Sequence, residues 1–193
     1  MGLGESASAA VLGIRQMVIL VCGLSKCGKS SLIASAISLG MELRAVKASQ
    51  LLRSSGRPTQ ALTASEALDN QPELKRLLSE YGRDGQPIIL DGHLLIETVD
   101  GPQLVPESLL ATIGLIGVIA VKATPELVSE RRRGTAFTTN QDEIRDLALI
   151  EITQAARYTR IAGMPFIQVD NDDPPAFIKA VARCLTTTGA KSH

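Results

Sequence analysis

A short glycine-rich stretch after an apolar run carries the residue types that bind phosphate. The run is Met17–Cys22, and the stretch GLSKCGKSS follows it directly. Gly23 and Gly28 enclose four residues, and Lys29 and Ser30 come next, so the spacing fits GxxxxGK[ST]. Glycines let successive backbone N–H groups point at one anion, and a helix that begins near Lys29 adds the positive end of its dipole. The sequence therefore predicts a site for the phosphates of a nucleotide.

The side chains of this stretch have predicted partners on a nucleotide. The Lys29 ammonium can reach the β- and γ-phosphates, which makes it a candidate catalytic residue, and the Ser30 hydroxyl can bind Mg²⁺. ATP and Mg²⁺ are therefore the predicted cofactors. A plain glycine-rich turn is the alternative, but the strand before the stretch and the helix after it favour phosphate binding. The predicted cofactor-binding residues are Gly23, Ser25, Lys26, Cys27, Gly28, Lys29, Ser30 and Ser31.

Cys27 lies inside the predicted phosphate loop, between Lys26 and Gly28. Positive charge and the start of a helix favour the thiolate form of a cysteine, so we expect bound ATP to block alkylation of this thiol. The alternative is that Cys27 is simply a small residue that fits the loop.

A carboxylate follows a second apolar run. Asp91 closes the segment 87–90, and ligands of parallel sheets gather beyond the carboxyl ends of the strands, so Asp91 is expected at the same sheet edge as Gly23. There it can hold Mg²⁺ through water or orient an acceptor, which makes it a candidate metal-binding and catalytic residue. The alternative is an aspartate that caps a turn. His93 either contacts the acceptor, as a candidate substrate-binding residue, or packs at the strand end.

Three consecutive arginines, 131–133, precede the polar loop 134–141. Phosphoryl transfer spreads negative charge over three oxygens, and arginines on a closing segment can neutralise this charge and exclude water. Consecutive helical residues point in different directions, so at most two of the three arginines can face one site. Arg157, a candidate substrate-binding residue, and Arg160 could face the same phosphates. The alternatives are a solvated basic helix end and surface ion pairs.

The region after the second predicted strand is where a kinase would bind its phosphoryl acceptor. The segment KASQLLRSSGRP offers Ser49, Gln50, Arg53 and Arg57, and the two arginines are candidate substrate-binding residues. Nothing in the spacing alone requires this role.

Composition limits the classes of protein to consider. The 193 residues include 20 Lys plus Arg and 20 Asp plus Glu, and this balance argues against general nucleic-acid binding. Three cysteines at irregular spacing fit neither a disulfide framework nor a zinc site, and a reducing cytoplasm is the simplest expectation. The longest apolar stretch, 109–121, is too short to span a bilayer, so no membrane association is expected. A homo-oligomer is left open.

Apolar runs alternate with helical patterns along the chain. Strands are predicted at 17–22, 43–48, 86–91, 116–123 and 164–170, and a helix pair at 63–82 is interrupted near Pro72. Such alternation predicts an α/β fold of three layers, with a five-stranded parallel sheet and helices on both faces. The predicted organisation is a flexible leader at 1–16, one domain at 17–186 with a small lid near 134–141, and a flexible tail at 187–193.

Four segments together resemble the P-loop nucleoside monophosphate kinases, and most closely the archaeal-type adenylate kinases. They are LVCGLSKCGKSSL, IILDGHLLIETVDGPQLVPESL, IGVIAVKATPELVSERRRG and FIQVDND. The middle segment carries most of the likeness, because that group has Asp-x-His at a strand end, a short glycine-containing excursion and a Pro-led helix, here Asp91–His93 and Pro106. The resemblance implies ATP–Mg²⁺ as donor, a nucleoside monophosphate as acceptor, and Arg131 and Arg133 as lid-side catalytic arginines.

The leading functional hypothesis is an ATP-dependent small-molecule kinase that transfers the γ-phosphoryl group in line, with a nucleotide substrate. Positioning by Lys29, the loop amides and lid arginines would supply most of the rate. One alternative is an ATP-binding switch or accessory module without acceptor phosphorylation. Another is a kinase for a hydroxyl or a polynucleotide 5′ end, in which Asp91 would serve as base.

Overall fold

The computed structural model describes residues 16–82 and 85–189, and a parallel sheet forms the centre of the fold. The strands of this part of the chain are β1 (Val18–Cys22), β2 (Arg44–Lys47), β3 (Ile88–Asp91), β4 (Leu95–Thr98), β5 (Gly101–Leu104), β6 (Leu115–Lys122) and β7 (Phe166–Asp170). Five of them form the sheet in the order β2-β3-β1-β6-β7, with every neighbouring pair parallel. A separate antiparallel hairpin pairs β4 with β5.

Helices connect these strands and begin at residues suited to capping. Thr63 accepts the Glu66 amide while the Glu66 side chain accepts the Thr63 amide, a reciprocal pair that fixes the start of α3. Asn140 caps α6, and Gly163 ends it in the left-handed conformation. The helices are α1 (Lys29–Ser38), α2 (Ala48–Ser54), α3 (Ala64–Tyr81), α4 (Glu107–Leu110), α5 (Pro125–Arg132), α6 (Gln141–Ala162) and α7 (Pro174–Gly189).

Alternate residues of the central strand, β1, pack into two hydrophobic cores, one on each face of the sheet. Ile19 and Val21 pack in a cluster that includes side chains of α1 and α7. Val18 and Leu20 pack in the other cluster, which includes side chains of α3 and α4. Successive strand residues point to opposite faces, so a continuous apolar run is what a strand covered on both sides requires. The predicted five-stranded parallel sheet with helices on both faces is confirmed.

The structure corrects the predicted helix pair at 63–82. α3 is one helix with Pro72 in its interior. Proline removes the amide that would donate to the carbonyl of Leu68, but the capping box and a buried face that includes Ala67, Leu74 and Leu78 hold the helix together. Sequence reasoning also gave no hairpin for LIETVDGPQL, because its strands are short and partly exposed.

The ends of the predicted domain shift slightly. Gln16, placed in the leader by sequence reasoning, donates from Nε2 to the Leu78 carbonyl at 2.7 Å. α7 continues to Gly189, beyond the predicted end of the domain at 186. Residues 1–15 and 190–193 of the predicted leader and tail lie outside the described residues. Among the helices of the described ranges, none combines the length and apolarity that crossing a bilayer demands.

Candidate phosphate-transfer site

The loop between β1 and α1 has a backbone that requires its glycines. Gly23 has φ 138° and Gly28 has φ 114°, and Lys26 between them has φ 71°. A Cβ at Gly23 would lie 2.6 Å from the Val121 carbonyl oxygen, and one at Gly28 would lie 3.1 Å from Cβ of Asn171. Both positions therefore combine a left-handed conformation with close neighbours, so the loop keeps its curl only with glycine there.

Several amides of this loop are available to an anion. Within the described part of the chain, the backbone N–H groups of Ser25, Lys26 and Gly28 donate to no protein acceptor. The Ser31 amide instead donates to the Gly28 carbonyl at 3.1 Å, and its side chain is exposed on α1. The first amides of α1 have no helical partner and add the positive end of the helix dipole at the same place.

Lys29 lies over the loop with its charge nearly buried. The residue is 5% exposed, and Nζ donates to the carbonyls of Gly23 at 2.6 Å and Leu24 at 3.1 Å. Its ammonium also lies 4.0 Å from Oδ1 of Asp91. An ammonium has three N–H donors, so one remains for a further acceptor beside the loop amides.

Ser30 and Asp91 meet at the edge of the sheet. β1 and β3 pair so that Val21 lies opposite Asp91, and the Ser30 hydroxyl donates to Asp91 Oδ2 at 2.7 Å. A hydroxyl and a carboxylate are the hard oxygen donors that Mg²⁺ prefers. The described residues contain no group of three or more His, Cys, Asp or Glu side chains that could hold a metal ion. This pair therefore fits a Mg²⁺ ion that takes its other ligands from phosphates and water.

Glu151, which sequence reasoning missed, ties two loops of the site together. It projects from α6 and is 1% exposed. Its Oε1 accepts the amide of Gly23 at 3.1 Å and the amide of Leu94 at 3.0 Å, while Oε2 is buried with no described hydrogen-bond partner. Burial raises the pKa of the Glu151 carboxyl, and the nearby Lys29 charge opposes this shift.

His93 occupies the loop after β3, between the phosphate side and a cavity. Its side chain is 36% exposed, and Nδ1 lies 3.9 Å from Oε1 of Glu151. Desolvation of the part of the ring that packs against the protein, followed by the charge of Lys29, lowers the pKa of His93.

The three arginines at the end of α5 have three different environments. Arg131 is exposed and donates from Nη1 to the Lys26 carbonyl at 3.2 Å, so it lies against the phosphate loop. Arg133 is the exposed C-cap of α5. Arg132 is fully buried and forms two hydrogen bonds with Glu97, of 2.6 and 3.0 Å. Sequence reasoning had singled out the first two and passed over the buried one.

Arg132 joins three separate segments. Its Nε donates to the Ser25 carbonyl in the phosphate loop at 3.2 Å, and its partner Glu97 belongs to the β4–β5 hairpin. The ring of Phe137, in the predicted lid, lies 5.1 Å from the guanidinium carbon. The loop, the hairpin and the start of the lid therefore share one buried cation.

The structure corrects the expected reactivity of Cys27. The residue is 2% exposed, and burial raises the pKa of its thiol, although Lys29 pulls it the other way. Desolvation outweighs the positive charge, so the thiol form is favoured and its alkylation is expected to be slow with or without ATP.

A cavity opens beside this site, between the sheet and helices α2, α3 and α4. Gly92 and His93 line it at the end near Asp91. None of the three other predicted substrate-binding residues lines it. Arg53 is exposed with Nη1 3.5 Å from the Thr59 hydroxyl, Arg57 donates to the Asp69 carbonyl, and Arg157 pairs with Glu107 at 3.3 Å. Their predicted role in substrate binding stays a prediction.

The two missed residues left a weak signal in the sequence. Glu151 falls in phase with the buried face of α6, which includes Ile144, Leu147 and Tyr158. Arg132 follows Val128 by one helical turn on the buried side of α5. A charge at an apolar position of a helix predicts a buried partner, but the partner itself cannot be named from such a pattern.

Comparison with known proteins gives similarity at the level of the fold. No protein-family model matches the chain, and no curated protein matches it. A gluconokinase from Sinorhizobium meliloti matches with a TM-score of 0.54 and 18% identity, covering 93% of this chain and 99% of its own. A sugar kinase from Janibacter matches with a TM-score of 0.54 and 13% identity, covering 91% of this chain and 96% of its own.

The chain has a P-loop kinase-like α/β fold. The likeness extends over nearly the whole of both compared structures. At these identities the likeness concerns architecture, and residue roles must be argued from the site.

Proposed function

We propose that this protein is an ATP-dependent small-molecule kinase that transfers the γ-phosphoryl group. The observation that carries the proposal is the meeting of three features at one sheet edge: a loop of available amides, the Lys29 ammonium, and the Ser30–Asp91 pair. These are the groups that phosphoryl transfer needs, since its catalysis consists mostly of positioning and charge stabilisation. The kinase-like fold supports the same conclusion.

Each residue has a defined task in this proposal. The loop amides and Lys29 bind the β- and γ-phosphates, and Ser30 and Asp91 hold Mg²⁺, which neutralises charge on these phosphates. Arg131 already contacts the loop at Lys26 and is the lid-side arginine nearest the phosphates, with Arg133 as the second candidate. Glu151 is a positioning residue, because its carboxylate accepts the amides of Gly23 and Leu94 and so fixes the phosphate loop relative to the loop that carries His93.

The acceptor approaches from the cavity that Gly92 and His93 border. The family resemblance implied a nucleoside monophosphate, whereas the compared structures are named for sugar and gluconate kinases, which supports a hydroxyl acceptor. A hydroxyl must lose its proton during transfer, and two side chains at the Gly92–His93 end of the cavity, those of Asp91 and His93, are the candidates to receive it. A hydroxyl acceptor is therefore the preferred class, and a nucleoside monophosphate is the competing one.

Calorimetry and an acceptor screen test the proposal. We expect ATP to bind with Mg²⁺, and ADP to be released faster when a suitable acceptor is added from a panel of monophosphates, sugars and sugar acids. Ser30→Ala should weaken the Mg²⁺ dependence of ATP binding, while Ser35→Ala, whose hydroxyl donates to the Ser31 carbonyl within α1, should not. An absence of binding heat from ATP would contradict the proposal.

A nucleotide-binding switch without transfer is the second candidate. The loop 134–141 contains no Lys or Arg, although a lid usually brings cations to the transferred group. This module would bind ATP tightly and show no acceptor-dependent turnover. The same screen separates the two functions, because only a kinase yields a phosphorylated product.

A further inference from the structure

The cavity beside His93 is partly open to solvent and mainly apolar. Its volume is about 120 Å³, which corresponds to roughly four water molecules by liquid volume. Five of its lining residues are polar, and eleven carry apolar side chains. The lining consists of Leu20, Ala48, Ser49, Leu52, Thr59, Leu62, Asn70, Gln71, Leu74, Leu90, Gly92, His93, Ile96, Val105, Leu109, Leu110 and Ile113.

No Lys, Arg, Asp or Glu side chain belongs to this lining among the described residues. Lys29 lies outside the lining, at the phosphate loop. A phosphate or carboxylate placed among the apolar side chains would lose its hydration without gaining a cation. The deep part of the cavity therefore selects against anions.

Two amide side chains provide hydrogen-bond acceptors in this wall. Asn70 is 2% exposed and Gln71 is 7% exposed, and both line the cavity. Asn70 Nδ2 donates to the Pro58 carbonyl at 2.8 Å, and Gln71 Nε2 donates to the Ala67 carbonyl at 2.9 Å. Because carbonyls only accept, these bonds fix which amide atom is nitrogen.

The opposite atoms, Asn70 Oδ1 and Gln71 Oε1, accept no hydrogen bond from a described residue. Neither is among the fully enclosed unpaired atoms, so both remain accessible. A carbonyl oxygen with no partner in an apolar wall is satisfied by an O–H or N–H group of a ligand.

We propose that this cavity binds an uncharged alcohol with a small apolar body. This inference rests on the proposed kinase function and narrows its acceptor. A hydroxyl of the alcohol donates to Asn70 Oδ1 or Gln71 Oε1, and the apolar body contacts the leucine and isoleucine side chains. A second hydroxyl, at the Gly92–His93 end, receives the phosphoryl group.

The chemical step conserves atoms and charge. A new bond forms between the hydroxyl oxygen and the γ-phosphorus, while the bond between that phosphorus and the β–γ bridging oxygen breaks. ATP and the alcohol give ADP, a phosphate monoester and one proton, which is released to water. No oxidant, reductant or other reactant takes part.

Matched pairs of acceptors test the inference in the full-length protein. Each pair differs by one anionic group on the same carbon skeleton: cyclohexanediol and its carboxylate derivative, and pentane-1,2-diol and 4,5-dihydroxypentanoate. We expect an uncharged member to raise the rate of ADP release and to give a phosphate monoester by phosphorus NMR, with kcat/KM at least about tenfold above its anionic partner. Faster turnover of the anions, or no response to any uncharged member, would overturn the inference.

The outcome is separable from failure of the kinase proposal, because ATP binding is measured on the same sample. Loss of both ATP binding and turnover contradicts the proposed function, whereas ATP binding with an anionic acceptor contradicts only the narrower inference.

A substitution in the wall supplies a second test. Gln71→Leu removes one carbonyl oxygen and should raise KM for the uncharged acceptor about tenfold while leaving KM for ATP unchanged. Gln168→Leu, on the exposed face of β7 at the far edge of the sheet, is the matched control. Equal KM values for the acceptor in the two variants would contradict the role of Gln71, and thermal melting of both establishes that they are folded.

Discussion

The phosphate side and the acceptor side of the site recognise their ligands by different physical means. On the phosphate side, Lys29, Asp91 and Glu151 are all less than 10% exposed, at 5%, 8% and 1%. On the acceptor side, the cavity wall is apolar apart from neutral polar groups. The two regions are adjacent, since Asp91 is followed directly by Gly92 and His93 of the cavity wall.

This difference determines how strictly each side of the site selects its ligand. A buried charge is tolerated only with partners, so each charge of the phosphate side is held by backbone groups or by an opposite charge at short distance. An apolar wall requires only shape, and its selectivity changes with the size of one or two side chains. The donor should therefore be fixed as a triphosphate, while the acceptor depends on the details of α2, α3 and α4.

The largest effect should come from removing the central cation of the phosphate side. Lys29→Ala is expected to lower kcat/KM for ATP by at least about 10²-fold, because a preorganised donor to the developing charge is lost. The control is Lys179→Ala, an exposed position on α7. Steady-state kinetics with a fixed acceptor measure the change, and a loss of less than about fivefold would show that Lys29 does not stabilise the transition state.

The next effect concerns the stability of the Arg132–Glu97 pair. Glu97→Leu leaves a fully buried guanidinium without its carboxylate, and the free energy of unfolding should fall by about 3–5 kcal/mol. The double variant Arg132→Met with Glu97→Leu should recover most of this loss, because it removes both charges. Urea unfolding measures all three proteins, and equal stability of the single and double variants would contradict the pairing.

A smaller effect is expected at Glu151. Glu151→Ala leaves the buried amides of Gly23 and Leu94 without an acceptor, at a cost of about 1–3 kcal/mol for each. Glu151→Gln keeps an acceptor oxygen and removes the ionisation. It should therefore retain more stability and more ATP affinity than the alanine variant.

The pH dependence of these variants has a defined sign. Because the pKa of Glu151 is raised in the folded state, the folded protein holds this proton more tightly than the unfolded chain. The contribution of Glu151 to the free energy of unfolding is therefore complete below its pKa in the unfolded chain, and it is lost as the pH rises through its pKa in the folded protein. Above about pH 4, the free energy of unfolding of Glu151→Gln, measured in urea, should therefore rise relative to that of the wild type. If the two free energies change with pH in parallel, the ionisation of Glu151 does not contribute to stability.

The smallest effect is a difference in salt sensitivity between the two substrates. ATP carries several charges and meets Lys29 and Arg131, so its KM should rise a few-fold between about 0.05 and 0.3 M salt. An acceptor that meets no charge should keep its KM within about twofold over the same range. Kinetics at both ionic strengths test this, and an equal salt response of both substrates would remove the distinction between the two regions.

The parts that sequence reasoning predicted depend on neighbours along the chain. The phosphate loop is defined by spacing within nine residues, and most of the five strands are short apolar runs. The position of Asp91 at the same sheet edge as Gly23 also followed, because parallel strands place their carboxyl ends at one edge. Local pattern and general sheet geometry are sufficient for these features.

The parts that it missed depend on partners far away in the sequence. Glu151 is 128 residues from Gly23, and Arg132 is 107 residues from Ser25 and 35 from Glu97. Cys27 shows the same limit, since its local charges favour a thiolate and only the assembled fold buries it. The cavity lining likewise comes from segments spread between residues 20 and 113, so its apolar character could not be read from one motif.

The Arg132–Glu97 pair also constrains how this protein can change over evolutionary time. Replacing either residue alone leaves the other charge without its partner, so the two residues should be conserved together or replaced together. Close relatives that lack an acidic residue at position 97 should also lack the arginine at position 132.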